Sequence, residues 1–411
     1  MRIYGDDFIP RLRTDIEAVP TSYQGKKALL VRDPLGLIEK PLLLQGEILE
    51  FIALMDGRRN IRDFQLEFIR MRGGVLVSSQ EVEKLLSELD SAFLLDSERY
   101  RRERKRLIDE YSLLEVRQAF HAGRSYPAEA KELRIFLDSF FSSEPELPAE
   151  IRGKELIALV SPHIDLGAGR RVYARAYQAL KNSTVRRVIL IGTGHSLHDS
   201  FLSLTERDFE TPLGRIKTDK DWVRRLREAG VDAVSADDIA HRSEHSLEFQ
   251  LIFLQHLFGS NFSLIPILCG SFHTVLDKVS RPSDISGLKS FLEVLGLAAK
   301  EFDPGTLLVA GVDLSHIGPK FGHEQRASSL LYQAKNHDRL LIGAICKADV
   351  ESFWQEMKKV KGVFKVCGFS ALACLLEVLS GSKGFVLDYD FWQEESTQSA
   401  VSFAAIAFEK R

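Results

Sequence analysis

The chain has 411 residues, of which 45% are hydrophobic and 27% are charged, and its formal net charge is −3. This length is typical of two domains, and the balanced charge gives no reason to expect nucleic acid as a partner. No apolar run is long enough to span a membrane, and the first residues lack the apolar core of a signal peptide, so we expect a cytoplasmic protein.

Residues 1–110 are predicted to form a separate small domain. A strand-like opening leads to three segments with helical periodicity, at residues 48–55, 61–72 and 79–93. A short strand is expected after them, in the stretch AFLLDSERY at residues 92–100. This order of elements is the pattern of a winged helix-turn-helix.

The same segment resembles the PqqD-like domains, whose form "ILxLxDGxxTxxxI" and ending "LxxxGLL" are matched here, the latter at residues 89–95. The resemblance implies a domain that holds a peptide by strand addition, whereas winged helices more often hold DNA. An accessory domain that only packs on its neighbour is the alternative. The basic run at residues 99–106 contains glutamate, and we expect a solvated helical linker there rather than a nucleic-acid surface.

Residues 111–411 are predicted to form an α/β domain in which three strands end at ionisable side chains. These are residues 156–160 ending at His163, residues 188–191 ending at His195, and residues 307–312 ending at Asp313 and His316. Because ligands bind at the carboxyl ends of the strands in open α/β sheets, and parallel neighbours share an edge, we expect these side chains to meet in one pocket.

Four cysteines are too few and too scattered for a disulfide framework. Cys367 lies at the predicted start of a helix, where the helix dipole favours a thiolate, so it is the best metal ligand or nucleophile among them. Cys269 and Cys374 lie in apolar segments and are expected in the core.

A further helix is predicted after Glu244. Glu244, His245 and Glu248 are expected near its exposed amino end, and because adjacent helical residues diverge by about 100°, only one of Glu244 and His245 is expected to face a given pocket. His241 is predicted to have a surface or capping role. Residues 201–219 alternate in polarity and predict a surface hairpin over the edge of the site.

Eight motifs, taken in chain order, resemble those of the Memo family. They are AGRSYPAE, SPHIDLGAG, RRVILIGTGHS, TPLGRIKTD, EHSLEFQLIFLQ, IPILCG, GVDLSH and KVCGFSAL. The resemblance covers residues 116–411 and implies the fold of the class III extradiol ring-cleaving dioxygenases. We therefore expect an α/β core with a central mixed, mostly parallel sheet and a metal pocket at one edge, preceded by the small winged helix-turn-helix-like domain.

This resemblance also implies roles for five residues. His163 and His195 match the two metal-binding histidines of the dioxygenases, and His316 matches their acid/base histidine, with Asp313 beside it as a second catalytic residue. Cys367 matches the Memo cysteine that stands where the dioxygenases have a carboxylate. A thiolate with two imidazoles is a softer ligand set, suited to copper, especially Cu(I), or to zinc. We expect a copper or iron ion, with zinc as the alternative.

The function implied by the resemblance is a metal-dependent redox or metal-handling role. Relatives occur in AmmeMemoRadiSam gene systems, which implies a radical-SAM protein as partner, and a peptide-binding first domain would suit a peptide or protein substrate. One alternative is an enzyme proper, either a dioxygenase-like oxidoreductase or a metal-assisted hydrolase. The other is a peptide- or protein-binding module with a vestigial pocket.

Overall fold

A computed structural model describes residues 8–142, 147–301 and 305–409 of the chain. The chain forms two compact units, Met1–Leu113 and Leu114–Arg411. Of the helices in the described ranges, none combines the length and the apolar character needed to cross a membrane.

The first unit combines an antiparallel sheet with a set of helices. In its described part the elements are β1 (Glu17–Tyr23), β2 (Lys26–Arg32), β3 (Leu42–Gln45), α1 (Glu47–Ala53), α2 (Ile61–Met71), α3 (Ser79–Ser91) and α4 (Glu98–Ser112). The three strands pair in the order β1-β2-β3. Capping boxes begin α2 and α3, because Asn60 and Ser78 each accept a backbone N–H from the third helical residue.

The prediction of a short strand at residues 92–100 is wrong. Only Leu95 makes a bridge, to Leu12, because Ser97 caps α4 and the chain becomes helical at the next residue. The basic run lies within α4, where Arg106 is bonded to Glu103 and Glu110, one turn away on either side. These pairs neutralise part of the positive charge along the helix.

The second unit is built on a large mixed sheet. Its strands in the described residues are β4 (Val116–Arg117), β5 (Leu156–Ser161), β6 (Arg187–Thr193), β7 (Leu202–Leu204), β8 (Asp208–Thr211), β9 (Gly214–Thr218), β10 (Ser263–Cys269), β11 (Thr306–Gly311), β12 (His316–Ile317), β13 (Lys383–Glu394) and β14 (Ser399–Glu409). They follow the order β12-β14-β5-β11-β6-β10-β9-β8-β4, while β13 pairs with β14 and β7 with β10. The predicted α/β fold class with a mixed, mostly parallel central sheet is confirmed.

Helices cover both faces of this sheet. Those in the described residues are α5 (Ala130–Phe141), α6 (Arg170–Gln178), α7 (Lys220–Ala229), α8 (His245–Phe258), α9 (Leu288–Glu301), α10 (Ala327–Cys346), α11 (Val350–Lys359) and α12 (Phe369–Val378). Successive residues of β6 enter opposite cores. Ile189 belongs to the core that contains residues of α9, α11 and α12, whereas Val188 belongs to the core that contains residues of α5, α6 and α8. Burial on both faces explains why the parallel strands read as continuous apolar runs.

Two details of the sheet differ from the sequence-based prediction. β5 and β6 are not neighbours, because β11 lies between them and is parallel to both. The three strands still end at one edge of the sheet, with the end of β11 in the middle. The predicted hairpin is present as β8 and β9, but β9 pairs with β10 and extends the sheet instead of covering the site.

Candidate metal centre

His163, His195 and Cys367 come together at the carboxyl edge of the sheet. His163 follows β5, His195 follows β6, and Cys367 lies just before α12. The sulfur of Cys367 is 3.3 Å from Nε2 of His163, and the centroids of the two imidazole rings are 5.0 Å apart. One ligand atom from each of the three residues lies within 4.8 Å of the others. The structure thus contains a His/His/Cys group that could hold a metal ion.

The ring of His163 is oriented by the neighbouring strand. Its Nδ1 lies 2.9 Å from the carbonyl oxygen of Gly311, at the end of β11. Because a carbonyl oxygen only accepts, Nδ1 carries the proton, and Nε2 presents its lone pair towards Cys367. The backbone N–H of His163 donates to Oδ1 of Asp313 at 3.0 Å, so the position of the whole residue is fixed.

His195 is oriented by a carboxylate. Its Nδ1 lies 3.0 Å from Oε1 of Glu244, and its backbone N–H donates to Oε2 of the same residue at 2.9 Å. Burial acts to lower the pKa of His195, but the Glu244 carboxylate and the Cys367 sulfur raise it well above its ordinary value. Glu244 holds the Nδ1 proton, so Nε2 is the atom available to a metal.

Glu244 and His245 both belong to this site, contrary to the expectation that only one of them faces it. Glu244 is the N-cap of α8, with an extended backbone at φ −72° and ψ 127°, so the helical spacing does not apply to the pair. The ring of His245 is 4.8 Å from that of His195 and 5.1 Å from that of His163, between centroids. An acid-histidine pair directly before an apolar helix was the signal that could have identified them.

A second group of ligand-type atoms comprises His195, Glu244 and His245. The two carboxylate oxygens of Glu244 already accept bonds from the backbone N–H and Nδ1 of His195 and from the backbone N–H of Ser246, and Nδ1 of His245 lies 3.3 Å away. Because these donors occupy the acceptor positions of the carboxylate, Glu244 is suited to orienting the imidazoles rather than to binding an ion itself.

The turn that carries Glu244 is fixed by a buried ion pair. Arg117, at the end of β4, bonds to the carboxylate of Glu248, and both side chains are buried. Arg117 also donates to the carbonyl oxygens of Glu244 at 2.9 Å and His241 at 3.0 Å. Glu248 was expected near an exposed helix end and His241 at the surface or in a cap, but both residues are buried. Sequence reasoning did not identify Arg117.

Asp313 and His316 lie beside this group. Oδ2 of Asp313 is 3.6 Å from Nε2 of His163, and burial raises the pKa of Asp313 to about 6. Nδ1 of His316 is 3.0 Å from the carbonyl oxygen of Leu314, and its ring contacts that of Phe321. Burial lowers the pKa of His316, while the charge of Asp313 opposes this shift. All five predicted site residues therefore lie at one edge of the sheet.

The donor set fits a transition metal. A tetrahedral ion with metal–nitrogen bonds of about 2.0–2.1 Å and a metal–sulfur bond of about 2.3 Å separates the two donor atoms by roughly 3.6 Å. The sulfur of Cys367 is 3.3 Å from Nε2 of His163, which is close to this separation. Burial acts to raise the pKa of the Cys367 thiol, but His163 and His195 lower it overall, which favours the thiolate form that binds metals.

The chain is similar to known proteins over most of its length. A family model described as Memo-like protein matches residues 117–407. The chain is 30% identical over 384 residues to a MEMO1 family protein of Aquifex aeolicus, covering 92% of this chain and 95% of that protein. It is 31% identical over 348 residues to a MEMO1 family protein of Thermus thermophilus, covering 84% of this chain and 98% of that protein. A MEMO1 family protein of Methanopyrus kandleri is 28% identical over 301 residues, covering 70% of this chain and 97% of that protein. The chain therefore belongs to the Memo family.

Proposed function

We propose that the second unit binds a transition metal ion through His163, His195 and Cys367 and uses it in a redox or metal-handling role. The observation that supports this most directly is the orientation of the two imidazoles. The Gly311 carbonyl holds Nδ1 of His163, and the Glu244 carboxylate holds Nδ1 of His195. Both Nε2 atoms are therefore left to an ion beside the Cys367 sulfur. Second ring nitrogens held in this way are characteristic of metal-binding histidines.

The chemistry of the donors favours copper over iron. A thiolate with two imidazoles is soft, and such sites select Cu(I) or zinc over ions that prefer carboxylates. Bound copper would supply one-electron redox chemistry, and zinc would supply a Lewis acid. An iron ion remains in the proposal because of the fold that the family resemblance implies.

Asp313 and His316 are proposed as the proton-transferring groups of this site. Because the pKa of Asp313 is about 6, its carboxyl group can both hold and release a proton near neutral pH. Its Oδ2 lies 3.6 Å from Nε2 of His163, so we propose that this oxygen would accept a proton from a group bound beside the ion. The lowered pKa of His316 keeps that imidazole neutral and able to accept a proton.

Loading with Co²⁺ tests the metal site directly, since cobalt bound by a thiolate gives a sulfur-to-metal charge-transfer band. We expect the band in the wild-type chain and its loss in Cys367→Ser, with weakened binding in His163→Ala. Cys346→Ser is the matched control, because Cys346 is a free, half-buried cysteine outside the group. An unchanged band in Cys367→Ser, or equal copper contents in wild type and both site variants, would refute the proposed site.

For the first unit we propose peptide binding by strand addition. Within its described residues β1 and β3 each pair on one side with β2, so their outer edges are available to a further strand. A peptide selected by display against the full-length chain should slow backbone hydrogen exchange in β1 or β3. Protection confined to α2 and α3 would contradict strand addition and favour the DNA-binding alternative of winged helices.

A radical-SAM protein is the proposed partner, on the basis of the family resemblance alone. A peptide held by the first unit would then be the substrate on which the two proteins act. Co-expression with a radical-SAM protein from the same organism should allow the two to be purified together. Recovery of the chain alone at every salt concentration would contradict the partnership.

A further inference from the structure

A cavity of about 260 Å³ adjoins the candidate metal centre, with His195 and Cys367 in its wall. A volume of this size has room for about nine water-sized groups. The wall also contains the apolar side chains of Leu197 and Val366. The cavity is thus large enough for a small organic molecule, and one side of it touches two of the proposed metal ligands.

Two hydroxyl groups in the wall can donate hydrogen bonds to a ligand. The hydroxyl oxygen of Ser370 accepts the backbone N–H of Phe272 at 2.9 Å, and that of Ser271 accepts the backbone N–H of His273 at 3.3 Å. Each hydroxyl group also carries one proton that it can donate. Lys365, an exposed residue, also lines the cavity. In the described part of the chain, no aspartate or glutamate lines this cavity.

Lys365 supplies positive charge to this wall. Burial lowers the pKa of His273, and the charge of Lys365 lowers it further, so the imidazole is neutral at pH 7. The Cys367 thiolate in the same wall would be neutralised by a bound metal ion, and Lys365 with the hydroxyl donors then favours an anion, while the apolar residues favour a hydrocarbon body over inorganic phosphate.

We propose that this cavity binds the carboxylate of a small organic acid, with Lys365 as its counter-ion, and that the acid lies beside the metal centre. The inference rests on the proposed function in that it names the substrate class of the same site. Carboxylate binding itself requires only the cavity and Lys365, so the two proposals can fail independently.

Fluorine NMR with 4-fluorobenzoate tests the proposal, with 4-fluorobenzamide as the neutral probe of matched shape. In the full-length chain we expect the acid to bind at least about tenfold more tightly than the amide, since a bond to a charged group is lost in the latter. Lys365→Met should reduce acid binding by a similar factor. Lys289→Met is the matched control, because Lys289 is an exposed lysine outside the cavity, and it should bind like wild type.

Three outcomes would overturn the proposal. They are equal binding of acid and amide, unchanged binding in Lys365→Met, and displacement of the acid by phosphate at the same concentration. Co²⁺ loading separates this result from the metal proposal. If both hold, bound cobalt broadens the fluorine signal of the acid in wild type. If only the metal proposal fails, Lys365-dependent binding persists without broadening, and if only the carboxylate proposal fails, the cobalt band persists without such binding.

Discussion

The carboxylate of Glu244 holds His195 at two points, accepting its backbone N–H at 2.9 Å and its Nδ1–H at 3.0 Å. The glutamate is 49 residues away along the chain and sits at the amino end of α8. This relationship fixes both the tautomer and the direction of the imidazole, so the properties of the proposed metal site depend on a residue that need not touch the ion.

The first prediction concerns this carboxylate. Glu244→Gln should weaken binding of Cu(I) by about 10–100-fold, because an amide holds the His195 tautomer less firmly. Competition with a chromophoric chelator measures the affinity. Glu155→Gln, at an exposed glutamate one residue before β5, is the control and should bind as wild type does. Equal affinities for Glu244→Gln and wild type would show that the hydrogen bond has no effect on the metal.

The buried pair of Arg117 and Glu248 should contribute strongly to stability. Arg117→Met leaves the Glu248 carboxylate buried without its partner, and we expect a loss of about 3–5 kcal/mol in the free energy of unfolding. Arg171→Met removes an exposed arginine that is bonded to Asp388, and should cost less than about 1 kcal/mol. Urea unfolding of the two variants measures both values. Similar losses in the two would contradict the role assigned to the buried pair.

Gly311 is required where α8 approaches the end of β11. A Cβ atom there would lie 2.2 Å from the carbonyl oxygen of Ser246, so the backbone must move in Gly311→Ala. We expect a destabilisation of about 1–3 kcal/mol and weaker metal binding, since the Gly311 carbonyl orients His163. Gly296→Ala, within α9 and with open space around it, should instead stabilise by up to about 1 kcal/mol. Thermal unfolding of the two variants distinguishes the expected destabilisation from the expected stabilisation.

His241 should make stability depend on pH. Burial lowers its pKa to about 3 in the folded chain. A depressed pKa contributes stability above the unfolded value of about 6.5 that is lost as the pH falls. Between pH 7 and pH 5 this loss is about 2 kcal/mol. His241→Gln cannot titrate, so the difference in stability between wild type and variant should shift by that amount in urea unfolding. Parallel pH profiles would contradict the assignment.

Much of the fold could be predicted from sequence because its strands are buried on both faces. Continuous apolar runs located β5, β6 and β11, and the ionisable residues after them lie where the carboxyl ends of parallel strands were expected. Strand order was not predictable in the same way. The insertion of β11 between β5 and β6 is a property of long-range pairing, and no local pattern in either segment records it.

The supporting residues of the site were missed for a different reason. Charged side chains near a helix end are usually solvated, so the pattern around Glu244 and Glu248 indicated an exposed turn. Both carboxylates are buried because each has a partner distant in sequence. Arg117 lies 131 residues before Glu248, and His195 lies 49 residues before Glu244. Burial of a charge depends on such pairing, which hydrophobic periodicity does not reveal.

The central claim is that the sulfur of Cys367 and one nitrogen each of His163 and His195 bind the same ion. X-ray absorption at the copper edge, on the full-length chain loaded with one equivalent of Cu(I), measures this directly. We predict a first coordination shell with one sulfur and two imidazole nitrogens, and loss of the sulfur in Cys367→Ser. A shell without sulfur in the wild-type chain, or one that is the same in Cys367→Ser, would contradict the account.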